Sequence, residues 1–300
     1  IEGLEAEHGR LTDVLPLSPL QQGLFFHAVY DTQGEDVYTV QLALDIEGPL
    51  RPRSLHAAAG TLLSRHGALR AAFHHEGLDA PVQVIPESVD LPWTDIDLTT
   101  LPEAERESAV QAWMTEDRAV RFDPARAPLM RFALLKTGAE QHRLVMTNHH
   151  ILLDGWSMPV LVKELLTLYG RSGDGSALPR VTPHRDYLTW IAGQDRGVAE
   201  DAWRRVLDGL DEPTLVAPAG RDGTPATPDR VTVDVPAALT AQLTDLSRSA
   251  GVTLNTLFQA AWAIVVGRLT GREDVVFGGT VSGRPPQVPG IESMVGLFIN

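Results

Sequence analysis

The stretch "MTNHHILLDGWSMP", residues 146–159, decides how the chain is read. A run that begins with strand-like character ends in two adjacent histidines. Three apolar residues, an aspartate and a glycine follow. In an extended segment neighbouring side chains point to opposite faces, so His149 and His150 take different jobs, one facing a cleft and one packing inward. A turn after the strand brings Asp154 close, and its carboxylate is free to pair with an arginine and fix the loop. Gly155 lets the backbone approach a substrate. Ser157 is then expected to cap a helix that tolerates Pro159 in its first turn, with Leu161, Leu165, Leu168 and Tyr169 as the buried stripe.

The bland reading of this stretch is a satisfied or exposed histidine pair at a strand end. The sharper one is acyl transfer, in which an amine loses a proton and an oxyanion is held. A histidine at a cleft mouth accepts a proton near neutral pH, help worth about 10²–10⁴-fold. Positioning two substrates contributes more, with effective molarities of roughly 10⁵–10⁸ M. An α-amine with a pKa near ~8 is already partly neutral, so the histidine either removes a proton or mainly orients the amine. Other chemistries find less support. No helical H-x-x-x-H or H-E-x-x-H spacing occurs, "HHE" at 74–76 is an isolated match, and no metal is expected. A Ser-His-Asp triad lacks its G-x-S-x-G elbow. "GGTVSGR" lacks the lysine of a P-loop, and "GDGSAL" reads as linker rather than a phosphopantetheine attachment site.

Working outward, the rest of the chain reads as mixed α/β. A helix is expected in "SPLQQGLFFHAVYD" (18–31), with Ser18 before Pro19 as its N-cap. In "VYTVQLALDIEG" (37–48), Val40, Leu42, Leu44 and Ile46 share one face of a half-buried strand. "RSLHAAAGTLLSRHGAL" places Leu55, Ala58, Leu62 and Leu63 inward on a helix. "RAAFH" and "PVQVI" read as strands, and "TTLPEAERESAVQAWMTEDRAV" as a second helix. "LMRFALLKTGAEQHRLVMTNHH" reads as a hairpin turning near Gly138.

"GRSGDGSALPRVTPHRD" (170–186) has linker composition. Beyond it come helices in "YLTWIAGQD" and "AEDAWRRVLDGL", a Pro/Gly-rich loop at 211–230 and a strand "RVTVDVP". Helices at 237–250 and 253–270 follow, then a strand in "EDVVFGGTVSGRP" that runs into a loop. The ending "VGLFIN" offers no closing element and reads as a severed domain.

Composition narrows the partners. With 25 basic and 39 acidic residues the net charge is −14, which argues against nucleic acid or anionic lipid. With 300 residues and 43% hydrophobic content the chain can bury one large core or two linked ones. There are no cysteines, so disulfides, thiolate zinc sites and a cysteine nucleophile are excluded. The start "IEGLEAEHGRL" lacks a signal-peptide core, and apolar runs such as "LFQAAWAIVV" are short for a bilayer span. A cytoplasmic chain is expected, with no membrane partner.

"HHILLDG" resembles the HHxxxDG motif of nonribosomal peptide synthetase condensation domains and their acyltransferase relatives. Its companions stand in the family's order. "LPLSPLQQGLFFH" (15–27) resembles the first motif, "RHGALRAAF" (65–73) the second and "RDYLTWI" (185–191) the fourth. "VVFGGTVSGRPPQVPGIESMVGLFIN" (275–300) resembles the fifth.

The resemblance implies two chloramphenicol-acetyltransferase-like α/β lobes in a V-shaped pseudo-dimer, the second lobe incomplete. The expected division is a linker at 1–13, an N-terminal lobe at 14–178 and a partial C-terminal lobe at 179–300. Within the last, residues 280–300 form the loop that floors a tunnel. The implied partners are upstream (donor) and downstream (acceptor) peptidyl carrier proteins and an adjacent adenylation domain, the chain being a monomeric module segment. No cofactor is bound intrinsically; substrates arrive on carrier-protein 4'-phosphopantetheine. The acceptor amine attacks the donor thioester and an amide forms.

By position in the motif, His150 and Gly155 are the catalytic candidates. His149, Asp154, Arg284 and Arg70 are structural support, with Asp154 paired to Arg284 across the lobe junction. Trp156 and Ser282 are tunnel-lining candidates, and His27, Tyr187 and Trp190 scaffold. "SPLQQGLFFH" resembles the form joining an L-configured donor to an L-configured acceptor. The alternatives are a non-catalytic carrier-docking platform, an epimerization relative and an acyltransferase using coenzyme A.

Overall fold

A computed structural model describes residues 2–30, 36–217 and 231–300. By contacts the chain divides into two compact units, one of residues 1–194 and 281–300 and one of residues 195–280. This differs from the expected boundary at 178–179. Tyr187 and Leu188 cluster with Leu15, Met294 and Phe298, which draws both the 184–192 helix and the 281–300 segment into the first unit.

The first unit is built on two sheets. β1 (Leu11–Pro16), β3 (Ala72–His74) and β4 (Val82–Pro86) form an antiparallel sheet in the order β1-β4-β3. The second has the order β2-β7-β6-β5, from β2 (Thr39–Glu47), β5 (Trp93–Asp97), β6 (Met130–Lys136) and β7 (Gln141–His149). β6 and β7 are the expected hairpin, while β5 pairs parallel to β6, with Trp93 opposite Phe132. A parallel neighbour requires a crossover, which α4 (Glu103–Ala119) provides.

Burial on both faces explains the uninterrupted apolar run of β6. Phe132 and Leu134 join the main core with Leu144 and Met146 of β7. Ala133 and Leu135 face the other way, onto Val145 and Val110 of α4. The main core is closed by α3 (Pro52–Arg65) through Leu55, Ala58, Leu62 and Leu63, and by α5 (Ser157–Gly170) through Leu161, Leu165 and Leu168. On β2, Leu42, Leu44 and Ile46 pack against this core as read from the alternation, but Val40 is exposed.

The stretch at 1–13, expected as a linker, holds α1 (Glu2–His8) and the start of β1, whose Val14 lies opposite Val84 of β4. α2 (Pro19–Tyr30) begins with the expected cap and more. The Gln21 N–H donates to the Ser18 hydroxyl at 3.3 Å, and the Ser18 N–H donates to the Gln21 side chain at 3.0 Å. Two backbone donors with no helical partner are thereby satisfied reciprocally. Asp31 at the end of that expected helix lies outside the described residues. α6 (His184–Ala192) completes the unit.

The second unit contains α7 (Arg196–Val206), α8 (Ala237–Ala250) and α9 (Leu254–Thr270). Asp195 caps α7 by accepting from the N–H groups of Gly197 and Val198. Thr253 caps α9 through Thr256. Two expected strands are absent here. Residues 231–236 and 273–282 are assigned no strand, and Val231, Val233, Val276 and Val281 are exposed. Their alternating valines supply propensity, but a strand needs a ladder; Val281 exchanges backbone hydrogen bonds with Asn300 at 3.0 and 3.2 Å, and that single pair does not extend into one. Residues 218–230 of the expected loop, with Arg230 of the expected strand, lie outside the described residues.

Candidate active site

The Ile-Leu-Leu run between the histidines and the aspartate is an anchor. Ile151, Leu152 and Leu153 are buried in the main core and fix the loop that leaves β7. A second anchor comes from the Gln21 amide, which donates to the Ile151 carbonyl at 3.3 Å. Gln83 Nε2 in turn stands 3.3 Å from Gln21 Oε1. Gln21 carries no functional signal in the sequence beyond its S-x-x-Q spacing from Ser18, which is that of a capping box.

His149 and His150 part company as the strand alternation requires. His149 is fully buried, and its Nδ1 accepts the Ile151 N–H at 3.1 Å. That leaves the ring proton on Nε2, which lies 3.3 Å from Asp36 Oδ2 at ion-pair distance. Burial alone raises the Asp36 pKa, but His149 and the Tyr38 N–H outweigh it and hold the carboxyl below its ordinary value. No pattern in the sequence points to Asp36. His150 is half-buried, and its backbone N–H donates to the Tyr38 carbonyl at 2.8 Å. Its Nδ1 is buried and takes no hydrogen bond.

Asp154 touches neither histidine. Its Oδ1 accepts from the Ser157 N–H at 2.9 Å and from Arg284 Nη2 at 3.0 Å, with the Ser157 hydroxyl at 2.8 Å. Its Oδ2 accepts from the Phe298 N–H at 3.1 Å. The helix cap expected of Ser157 is thus made by Asp154, three residues earlier. Ser157 is instead the first residue of α5, and its hydroxyl also meets the Gly296 carbonyl at 3.0 Å.

Arg284 completes the knot. Its Nη1 donates to the carbonyls of Ile291 and Met294 at 2.6 and 2.9 Å. Its guanidinium stacks 4.1 Å from the Phe298 ring centroid. Both residues of the pair lie in the first contact unit.

The remaining candidates sit as follows. Gly155 is exposed, and a Cβ there would meet nothing within 4 Å. Trp156 is 52% exposed, and its indole N–H donates to the Glu292 carbonyl at 3.1 Å. Ser282 is exposed. Arg70 is buried away from this loop. It donates to the Pro86 carbonyl at 3.0 Å and to the carbonyls of Leu63 and Ser64, and burial lowers its pKa. Beside it in sequence, Arg65 and His66 both bind Glu164 of α5, at 3.1 and 2.8 Å, and so steady the helix that begins at Ser157. His27 is exposed, and the Tyr187 hydroxyl donates to the Phe298 carbonyl at 3.3 Å.

A linear gramicidin synthase of Brevibacillus parabrevis is 38% identical over 301 residues, covering 97% of this chain and 4% of that protein. Bacitracin synthase 3 of Bacillus licheniformis is 36% identical over 291 residues, covering 96% and 5%. The chain therefore spans a small part of these relatives. Among solved structures, the first condensation domain of the calcium-dependent antibiotic synthetase, in complex with a substrate analogue, superposes with a TM-score of 0.76. It is 24% identical, with 96% of this chain and 68% of that one covered. The EpoB cyclization-docking bidomain from Sorangium cellulosum gives 0.79 at 21% identity, with 99% and 58% covered, and shares the fold. The condensation-domain family model matches residues 11–300, nearly the whole sequence, and the chain belongs to that family.

Proposed function

We propose that this chain joins a donor acyl group to an acceptor amine, both presented as thioesters on the phosphopantetheine arms of carrier proteins. The observation that carries this is the contrast between the two histidines. His149 is fully buried, with Nδ1 accepting the Ile151 N–H and Nε2 held 3.3 Å from Asp36, whereas His150 is half-buried, its Nδ1 takes no hydrogen bond and no carboxylate pairs with it among the described residues. The acceptor amine attacks the donor thioester carbonyl, forming the C–N bond. The tetrahedral intermediate collapses with cleavage of the C–S bond. His150 takes up or steers the amine proton, which ends on the departing thiolate, and the lengthened chain stays on the acceptor arm. Gly155 leaves the reacting centre unobstructed by a side chain, while Asp154 and Arg284 hold the loop.

The L-donor, L-acceptor assignment rests on "SPLQQGLFFH" alone. Trp156 and Ser282, both exposed, line the substrate path in this reading. The lobe bounds 14–178 and 179–300 belong to this reading as what the family resemblance implies, while the contact units fall at 194–195 and 280–281. An adjacent adenylation domain and a cytoplasmic setting complete the proposal.

The test is dipeptidyl transfer between two loaded carrier proteins, read by mass spectrometry, in the parent synthetase module. His150→Ala is expected to lower transfer by at least about 10²-fold with folding unchanged. Wild-type-like transfer by the variant overturns the assignment. Carrier binding without any amide from the wild type identifies a docking platform instead. Product from coenzyme A thioesters, or α-proton exchange in deuterated buffer, identifies the acyltransferase or epimerase alternative.

A further inference from the structure

We propose that Glu7, His8 and His74 form a binding site for a divalent transition-metal ion of the zinc type. In the sequence, "HHE" at 74–76 stands alone, with no second ligand cluster near it in the chain. The fold supplies one from 66 residues away. His8 ends α1 and His74 ends β3, and their Nε2 atoms are 2.6 Å apart, with ring centroids at 4.7 Å and planes at 77°. A carboxylate oxygen of Glu7 lies with them, all three ligand atoms falling within 4.8 Å of one another.

Two imidazole nitrogens and one carboxylate are a zinc donor set, leaving the fourth tetrahedral position to water. Imidazole ligation favours zinc, copper or nickel over magnesium or calcium. Without metal, the close Nε2 pair needs one protonated and one bare nitrogen, a single hydrogen bond. With zinc–nitrogen bonds of roughly 2.0–2.1 Å, tetrahedral geometry sets the nitrogens about 3.3 Å apart, so the rings open by roughly 0.7 Å. Both histidines are half-buried and Glu7 is exposed, so the site is formed by the protein yet reachable from solvent. Metal there clamps α1 onto the β1-β4-β3 sheet. The site is distinct from the His149–Asp154 loop, and its test is independent of amide formation.

The experiment titrates ZnCl2 into the chelator-treated 300-residue chain by calorimetry, with Co2+ absorption as a reporter of tetrahedral coordination. One saturable ion per chain is expected, with a rise in thermal midpoint as the metal is added. His8→Ala and His74→Ala should each weaken binding by more than the roughly 10–100-fold typical of losing an outer-shell partner, and Glu7→Gln by less than either. His8→Ala, at the end of a terminal helix, keeps the test valid if His74→Ala folds poorly. Absence of saturable binding, or binding unchanged in His8→Ala, overturns the proposal and leaves the pair as a hydrogen bond.

Discussion

Arg284 Nη2 stands 3.0 Å from Asp154 Oδ1 with 2% and 0% of the two side chains exposed, so the charges neutralise each other out of water. Removing one partner of such a pair strands the other, at a cost of about 3–5 kcal/mol. Arg284→Ala and Asp154→Ala are therefore expected to lose stability of that order in urea unfolding. Because each single variant strands the other charge out of water and the double variant strands none, the double variant should cost less than the sum of the singles. Additive losses would show that the two residues act separately.

Two glycines of the site separate a packing requirement from a substrate requirement. Gly283, beside Arg284, has φ +60°, and a Cβ there would stand 1.7 Å from the Phe298 carbonyl oxygen. Gly155 has no neighbour within 4 Å of its Cβ position and no positive φ. Gly283→Ala should lower the thermal midpoint sharply. Gly155→Ala should leave it unchanged while lowering transfer between loaded carriers. Full transfer by Gly155→Ala would remove this glycine from the reaction.

Much of this was legible along the chain because the signals are local. Leu55, Ala58, Leu62 and Leu63 show the period of α3, and the β6–β7 hairpin follows from two apolar runs around Gly138. The opposite facing of His149 and His150 follows from strand alternation, and the pairing of Asp154 with Arg284 from the ordered motifs of the resemblance. Contacts made across the fold were not legible. Asp36 reaches His149 and Gln21 reaches Ile151 through tertiary packing, with no spacing to announce them. The valines at 231, 233 and 235 misled in the opposite direction, since alternation signals a strand only where another strand pairs with it, and none does so among the described residues.

Asp36 faces the Nε2–H of the buried histidine, and its removal should act on the loop rather than on the reacting group. Asp36→Asn leaves His149 Nε2–H facing an uncharged amide. Its own carboxyl is held below the ordinary value, so the stability it contributes is complete above a pH of about 4. That stability is lost as pH falls through the lowered folded pKa. The variant should be less stable than wild type at neutral pH, with the difference narrowing on acidification. A difference that stays constant to pH 3 would remove ionisation of Asp36 from the stability of the fold.

His184 sets a second pH window. It begins α6, its ring centroid lies 5.3 Å from that of Phe298 and 5.6 Å from that of Tyr187, and both ring nitrogens are buried without a well-formed hydrogen bond. It borders a cavity of about 240 Å³ shared with Asp13, His66 and Val295. Burial pushes its pKa down to about 4, with Arg284 adding to the shift and the Leu297 backbone and Asp154 opposing it. The unfolded chain protonates this histidine near ~6.5, so below that pH it binds a proton that the folded chain refuses. Stability tied to neutral His184 is thus complete above about pH 6.5 and declines as pH falls towards 4. Asp36 titrates lower, which keeps the two effects apart. His184→Gln should flatten the fall in thermal midpoint between pH 6.5 and 4.5 while leaving the steeper loss below it in place. An unchanged slope in that variant would show that another group takes up the proton.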